Sequence, residues 1–142
     1  MPYLLDTDHV SLVQKDNDDG RRLMTRLDRV PRDDVATSIV TYQEQLQGWL
    51  AYLNSGLKPD EVLQAYERLD ELRRAFERYN VLPFDRPAQD IFESLRPICR
   101  RIGRLDLRIA SIALATDSTL LTRNFADFSR VPGLRFEDWT RL

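Results

Sequence analysis

The sequence predicts an α/β fold: a three-layer α/β/α sandwich around a central parallel sheet of four to five strands. Three observations point there. Short apolar runs recur along the chain, each sized for a buried parallel strand. Helical patterns stand between them, and that alternation calls for a parallel sheet with helices on both faces. Acidic residues sit where strands give way to helices, at the carboxyl ends where open α/β sheets place their ligands.

The first strand, Tyr3-Leu4-Leu5, ends in Asp6-Thr7-Asp8. Thr7 or Asp8 can cap a helix that starts near His9 and runs to Lys15. Asp16-Asn17-Asp18-Asp19-Gly20 reads as a polar turn. Residues 21–29 form a helix with Leu23, Met24 and Leu27 at helical spacing. Pro31-Arg32-Asp33-Asp34 is a loop, and Val35-Ala36-Thr37-Ser38 is the second strand. Ser38 can cap the next helix, over 40–54, with Val40, Leu46, Leu50 and Leu53 as core contacts. Glu44 lies about one turn in, while Trp49 and Tyr52 either pack or offer a partner surface. Asn54-Ser55-Gly56 closes that helix, Gly56 being suited to a left-handed cap.

Pro59-Asp60-Glu61 opens a long helix to about Tyr79, with proline and acids in its first turn. Its apolar stripe is Val62, Leu63, Tyr66, Leu69, Leu72 and Phe76. Residues 81–85 are the third strand, placed at an end or edge by Pro83. Residues 87–102 read as a helix carrying Ile91, Leu95, Ile98 and Ile102, with a kink or break at Pro97. Gly103 ends it. Asp106 opens the next helix, over 107–116, which is apolar nearly all round and should be buried. Thr119-Leu120-Leu121-Thr122 is the fourth strand, 123–128 a loop and helical turn, and 134–136 a last short strand. There is no internal repeat, linker or low-complexity segment, so 1–142 reads as a single domain.

Bulk composition narrows the class. The 142 residues are 42% hydrophobic and 31% charged, which suits a soluble globular chain with a real core. No apolar run reaches the roughly 20 residues of a membrane span. Asp6 and Asp8 interrupt the one apolar stretch near the start, so no signal peptide is read there. The lone Cys99 cannot form an internal disulfide and reads as a buried small residue, which fits a reducing, cytoplasmic setting. Net charge is −2, neutral ground for nucleic acid. Lys15 and Lys58 are the only lysines and the other cations are arginines, whose planar fork fits phosphate oxygens. Composition bias explains the same preference.

Asp6, Glu44 and Asp106 each lie near a strand-to-helix junction, and Asn124 and Asp127 follow the fourth strand. Clustered carboxylates repel unless a cation sits among them, and oxygen ligands suit a hard cation such as Mg²⁺. Such a site acidifies water and clamps phosphoryl oxygens, the requirements of phosphodiester hydrolysis. The plain alternative is that each acid caps a helix. His9 stands alone, without the nitrogen and sulfur partners of a zinc site, and reads as a surface or packing residue.

A resemblance sharpens this. Leu4-Leu5-Asp6-Thr7, the run from Ser38 to Gly48, Ile102-Gly103-Arg104-Leu105-Asp106-Leu107-Arg108-Ile109-Ala110 and Leu120-Leu121-Thr122-Arg123-Asn124-Phe125-Ala126-Asp127-Phe128 occur in order over nearly the full length. Together with Val131-Pro132-Gly133-Leu134 they resemble the PIN-domain family, and within it the VapC toxins of bacterial toxin–antitoxin pairs. The resemblance implies a PIN-like fold and a Mg²⁺- or Mn²⁺-dependent endoribonuclease. It maps the first three acids to Asp6, Glu44 and Asp106. The fourth position, often Asp, falls on Asn124, with Asp127 three residues on. It also implies a homodimer and a VapB-type antitoxin whose arm crosses the active site, here expected at the helices over 40–54 and 59–79. On this reading Asp6 and Asp106 anchor the metal, and Glu44 orients a water or acts as base. Arg108 and Arg123 grip the RNA backbone or form surface salt bridges. Thr7 donates to a ligand carboxylate or caps its helix. The RNA target, whether transfer, ribosomal or messenger RNA, is left open.

Two other classes compete. Asp6-Thr7-Asp8 also looks like the opening motif of haloacid-dehalogenase-type phosphatases, with Asp6 as nucleophile and Asp8 as general acid, but the lysine and later acidic pair of that family are absent. A receiver-type domain would give Glu44 no purpose. A non-catalytic RNA- or protein-binding PIN module is the remaining alternative.

Overall fold

In the computed structural model, which describes residues 2–13 and 15–141, the apolar runs become five strands. They are β1 (Tyr3–Leu5), β2 (Val35–Ser38), β3 (Asn80–Leu82), β4 (Thr119–Leu121) and β5 (Phe136–Glu137). Seven α-helices join them: α1 (Thr7–Val13), α2 (Asp18–Leu27), α3 (Ile39–Leu53), α4 (Pro59–Arg78), α5 (Arg86–Leu95), α6 (Arg104–Ala115) and α7 (Phe125–Phe128). Every pairing is parallel, in the order β3-β2-β1-β4-β5.

Alternation along each strand builds the three layers. Leu4 pairs with Leu120, and both join α5 and α6 in one core with Ala36, Leu95, Leu107 and Ile109. Leu5 pairs with Leu121, and both face the opposite core, with Val10 and Leu12 of α1, Leu23 of α2, and Leu72 and Phe76 of α4. Strands buried on both faces must be apolar at every position, as β1 and β4 nearly are. Helix α6 is buried along 107 and 109–113, as its composition predicts.

The chain steps from β1 outward to β2 and β3, then crosses to β4 and β5 on the other side. The direction reverses between β1 and β4. A crevice opens at such a reversal beyond the strands' carboxyl ends, and it is where folds of this class bind ligands.

Several boundaries differ from the sequence reading for physical reasons. Helix α1 starts at Thr7, not near His9, because Asp6 is itself the cap: its carbonyl accepts the Val10 N–H (3.0 Å) and its Oδ1 the Thr7 N–H (2.5 Å). The helix is described to Val13; Gln14 lies outside the described residues, and Lys15 follows as a bend. Helix α2 starts at Asp18, inside the expected turn, since Asn17 caps it by accepting from the Gly20 N–H (2.8 Å). Asp106 is the third residue of α6 rather than its opener.

Helix α5 stops at Leu95. Pro97 has no N–H for the carbonyl one turn back, so the chain continues as turns, with Ile98 and Cys99 both donating to the Leu95 carbonyl. Ile98 is therefore 66% exposed instead of being a core contact, while Ile102 and Cys99 remain buried. The buried stripe of α4 runs through Val62, Ala65, Leu69, Leu72 and Phe76, at alternating spacings of three and four. Leu63 and Tyr66 lie one position outside it and are exposed, as is Leu50 of α3.

Gly20 shows how tightly α1 meets α2. A Cβ there would stand 2.5 Å from the Lys15 carbonyl oxygen and 2.6 Å from that of Leu12, both backbone atoms with little freedom to move. Gly20→Ala is expected to lower unfolding stability by about 1–3 kcal/mol, the usual cost of overpacking, measured by urea denaturation. An unchanged midpoint would show that the turn relaxes freely.

Candidate active site

The site is built around Asp6. Its N–H donates to the Leu121 carbonyl (3.0 Å), which places it in line between β1 and β4. Its Oδ2 accepts from the Thr122 hydroxyl (2.7 Å), and Asn124 N–H donates to that same hydroxyl oxygen (3.0 Å). Asp6 is buried, and its carboxyl is pushed up to about 7. Burial is the main cause and the negative charge of Asp8 the next, with Asp106 adding to them; the bonds from Thr122 and Thr7 act the other way.

Glu44 reaches the same place from α3. Ser38 caps that helix by accepting from Thr41 N–H (3.0 Å), as the sequence suggests. The Thr7 hydroxyl donates to Glu44 Oε1 (2.9 Å), so Thr7 holds a site carboxylate from the start of α1. Burial raises the Glu44 carboxyl, the Thr7 bond opposes this, and the charges of Asp106 and Asp8 add to it. Asp106, in the first turn of α6, is also raised, by burial and then by Asp127 and Asp8.

Asn124 and Asp127 form one unit. Asn124 caps α7 by accepting from Asp127 N–H (3.4 Å), and its Nδ2 donates to Asp127 Oδ2 (3.0 Å). The uncharged Asn124 thus positions the charged Asp127, whose field reaches Asp106.

The capping alternative accounts for little of this. It explains one oxygen of Asp6. Glu44 lies inside its helix, and α6 begins without a side-chain cap, since Gly103 precedes it. Among the described residues, no arginine or lysine forms an ion pair with Asp6, Glu44, Asp106 or Asp127. Also among these residues, no three acidic or other ligand-type side chains are drawn close enough to enclose a metal by themselves. The side chains whose charges act on one another here all offer carboxylate oxygens, the donor type that hard divalent cations such as Mg²⁺ take. Such an ion takes one or two carboxylates, keeps several waters and is not held in an all-protein cage.

The proposed substrate arginines have partners within the chain. The Arg108 guanidinium lies over the rings of Phe92 and Phe84, at 5.3 and 5.9 Å from their centroids. Arg123 pairs with Asp19 through Nη1 (3.3 Å).

The sequence reading passed over Asp8 as a member of this group. Its charge acts on Asp6, Glu44 and Asp106 alike. Its oxygens accept from His9 Nδ1 (2.6 Å) and from the Arg123 N–H (3.0 Å). Both of its oxygens are thus engaged by N–H donors of the chain. His9 is fully buried, so of the two expected settings, surface or packing, the structure excludes the surface. No sequence signal separates Asp8 from an ordinary first-turn acid.

Comparisons with known proteins agree with this geometry. The PIN domain family matches residues 3–134. Ribonuclease VapC1 of Haemophilus influenzae (strain R2866) is 30% identical over 149 residues, covering 99% of this chain and all of the relative. The structure of VapBC-1 from nontypeable Haemophilus influenzae superposes with a TM-score of 0.79 at 25% identity, over 99% of this chain and 100% of the other. VapBC2 from Rickettsia felis, bound to a DNA fragment from its promoter, gives 0.74 at 26% identity, over 98% and 99%. With the parallel five-stranded sheet and its switch-point carboxylates already in view, the chain belongs to the PIN-domain family, among its VapC members.

Proposed function

We propose that this protein is a divalent-cation-dependent endoribonuclease, the toxin of a VapBC-type pair. The observation that supports this most is the set of carboxylates around the β1–β4 crevice, raised by burial and by one another, with no arginine or lysine of the described residues among them. In such a site Asp6 and Asp106 would hold Mg²⁺ or Mn²⁺. When bound, the cation supplies positive charge to phosphoryl oxygens and acidifies a water. Glu44, oriented by Thr7, takes a proton from the attacking water. Asn124 keeps Asp127 turned toward Asp106.

The antitoxin is proposed to dock where α3 and α4 form a groove of about 870 Å³, bordered by Trp49, Tyr52, Gln45, Gln64 and Arg68. Gln45 of this groove adjoins Glu44 in α3, so the groove and the carboxylate site share that helix. Transfer RNA is a candidate target, to be read from the cleavage products.

Purified protein freed of antitoxin is expected to cut total RNA into discrete fragments with Mg²⁺ or Mn²⁺ and not with EDTA. Glu44→Gln is expected to slow cleavage about 10²–10⁴-fold. Asp6→Asn and Asp106→Asn should leave no metal-dependent cleavage. A folded protein inert with both metals and every RNA class would support a binding module instead.

Asp6 also sets a pH dependence. Its folded-state carboxyl titrates at about 7 against 3.8 for the free group, so the folded state holds the proton more tightly. Stability is therefore lost as pH rises from about 4 to 7 and stays lower above that. In EDTA, Asp6→Asn is expected to melt above the wild type at pH 8, with the gap closing toward pH 4. Mg²⁺ should narrow the gap at pH 8 by stabilising only the wild type. Parallel melting curves across this range would contradict the assignment.

A further inference from the structure

His9 is fully buried beside the site, yet the hydrolysis does not use it. Its two ring nitrogens have separate partners. The Trp139 backbone N–H donates to Nε2 (3.2 Å), so Nε2 carries a lone pair and the proton sits on Nδ1. Nδ1–H then donates to Asp8 Oδ1 at 2.6 Å. The other Asp8 oxygen accepts from the Arg123 N–H, in the segment that follows β4. Asp8 is thus held on one oxygen by His9 and on the other by the backbone that follows β4, while its carboxylate, about a third exposed, acts by its charge on Asp6, Glu44 and Asp106.

The far end of this chain of bonds is well anchored. The Trp139 ring packs on Tyr3 of β1, with centroids 4.6 Å apart, and the Arg26 guanidinium lies 4.9 Å above it. Arg22 of α2 donates to the Thr140 carbonyl (2.8 Å). Asp138, the other acid near His9, is 3.7 Å from Nε2, and its Oδ1 is taken by the Thr140 N–H and hydroxyl. The Trp139 N–H is a fixed reference point, and the imidazole transmits that position to Asp8.

We propose that His9 is a positioning residue, an imidazole that spans from the Trp139 amide to the Asp8 carboxylate and so lets the carboxyl-terminal segment set Asp8 as a further carboxylate of the cation site. The inference rests on the cation-site reading above. Partners that orient a ligand carboxylate from behind commonly change metal affinity about 10–100-fold when removed.

Two substitutions separate the halves of the bridge. The amide of His9→Asn overlays Nδ1 and keeps a donor for Asp8 while losing the Trp139 contact. The longer His9→Gln places its amide at Nε2, keeping Trp139 and losing Asp8. Mn²⁺ titrations of the full chain by isothermal calorimetry, with melting curves in EDTA as the stability control, decide between positioning and packing. His9→Gln and Asp8→Asn are expected to weaken Mn²⁺ binding about 10-fold, and His9→Asn, which keeps the donor to Asp8 but loses its anchor, by a smaller factor of about 3, although both His9 variants lose stability. Equal Mn²⁺ affinities in the two His9 variants, or wild-type affinity in Asp8→Asn, would overturn the proposal alone. A wild type with no saturable Mn²⁺ binding would overturn the cation site itself, and this proposal with it.

Discussion

Burying the Asp6 carboxylate at the strand reversal is the constraint on which the site depends. The residue leaves β1 with its N–H bonded to the last residue of β4, so it cannot move without disturbing the centre of the sheet. Its carboxylate is out of water, next to Asp8 and near Asp106. Hydrogen bonds from Thr122 and Thr7 offset part of the cost of charging it. They do not offset all of it, and a positive charge is what the arrangement lacks. The chain has 19 arginines, yet the two that flank the site residues in sequence have partners elsewhere, Arg108 on aromatic rings and Arg123 at Asp19. A resident guanidinium would relieve the repulsion and fill the space a metal and a phosphate need.

The surrounding elements keep this repulsion in place at neutral pH. Two hydrophobic cores grip the sheet from both sides, with Leu4 and Leu120 in one and Leu5 and Leu121 in the other. The buried helix α6 brings Asp106 in on one core. Helix α3, capped by Ser38, brings Glu44 from beyond β2. Thr7 then ties the start of α1 to Glu44, so two elements far apart in sequence share one polar contact. Stability in the cores carries the cost of an electrostatic arrangement whose use is chemical.

Much of this was legible in the sequence, because it depends on local pattern. Strand–helix alternation gave the sheet, Ser38 its cap and Pro59 a helix start, and the order of the acidic motifs suggested the family. What the sequence hid was set by tertiary contact. The stripe of α4 uses Ala65 and leaves Leu63 and Tyr66 outside, which hydrophobicity alone does not reveal. The nearness of Asp8 to Glu44 and Asp106, and the contact between His9 and Trp139, join positions far apart in the chain, so no spacing rule reports them.

The most direct test of this account is the titration of the Asp6 carboxyl itself, followed by carbon-13 NMR in EDTA and again with saturating Mg²⁺. The account expects a midpoint near 7 without metal, well above the 3.8 of a free aspartate, and a marked downward shift when Mg²⁺ is present. A midpoint near 4 that Mg²⁺ leaves unchanged would contradict it, since Asp6 would then be an ordinary solvated cap with no need of a cation.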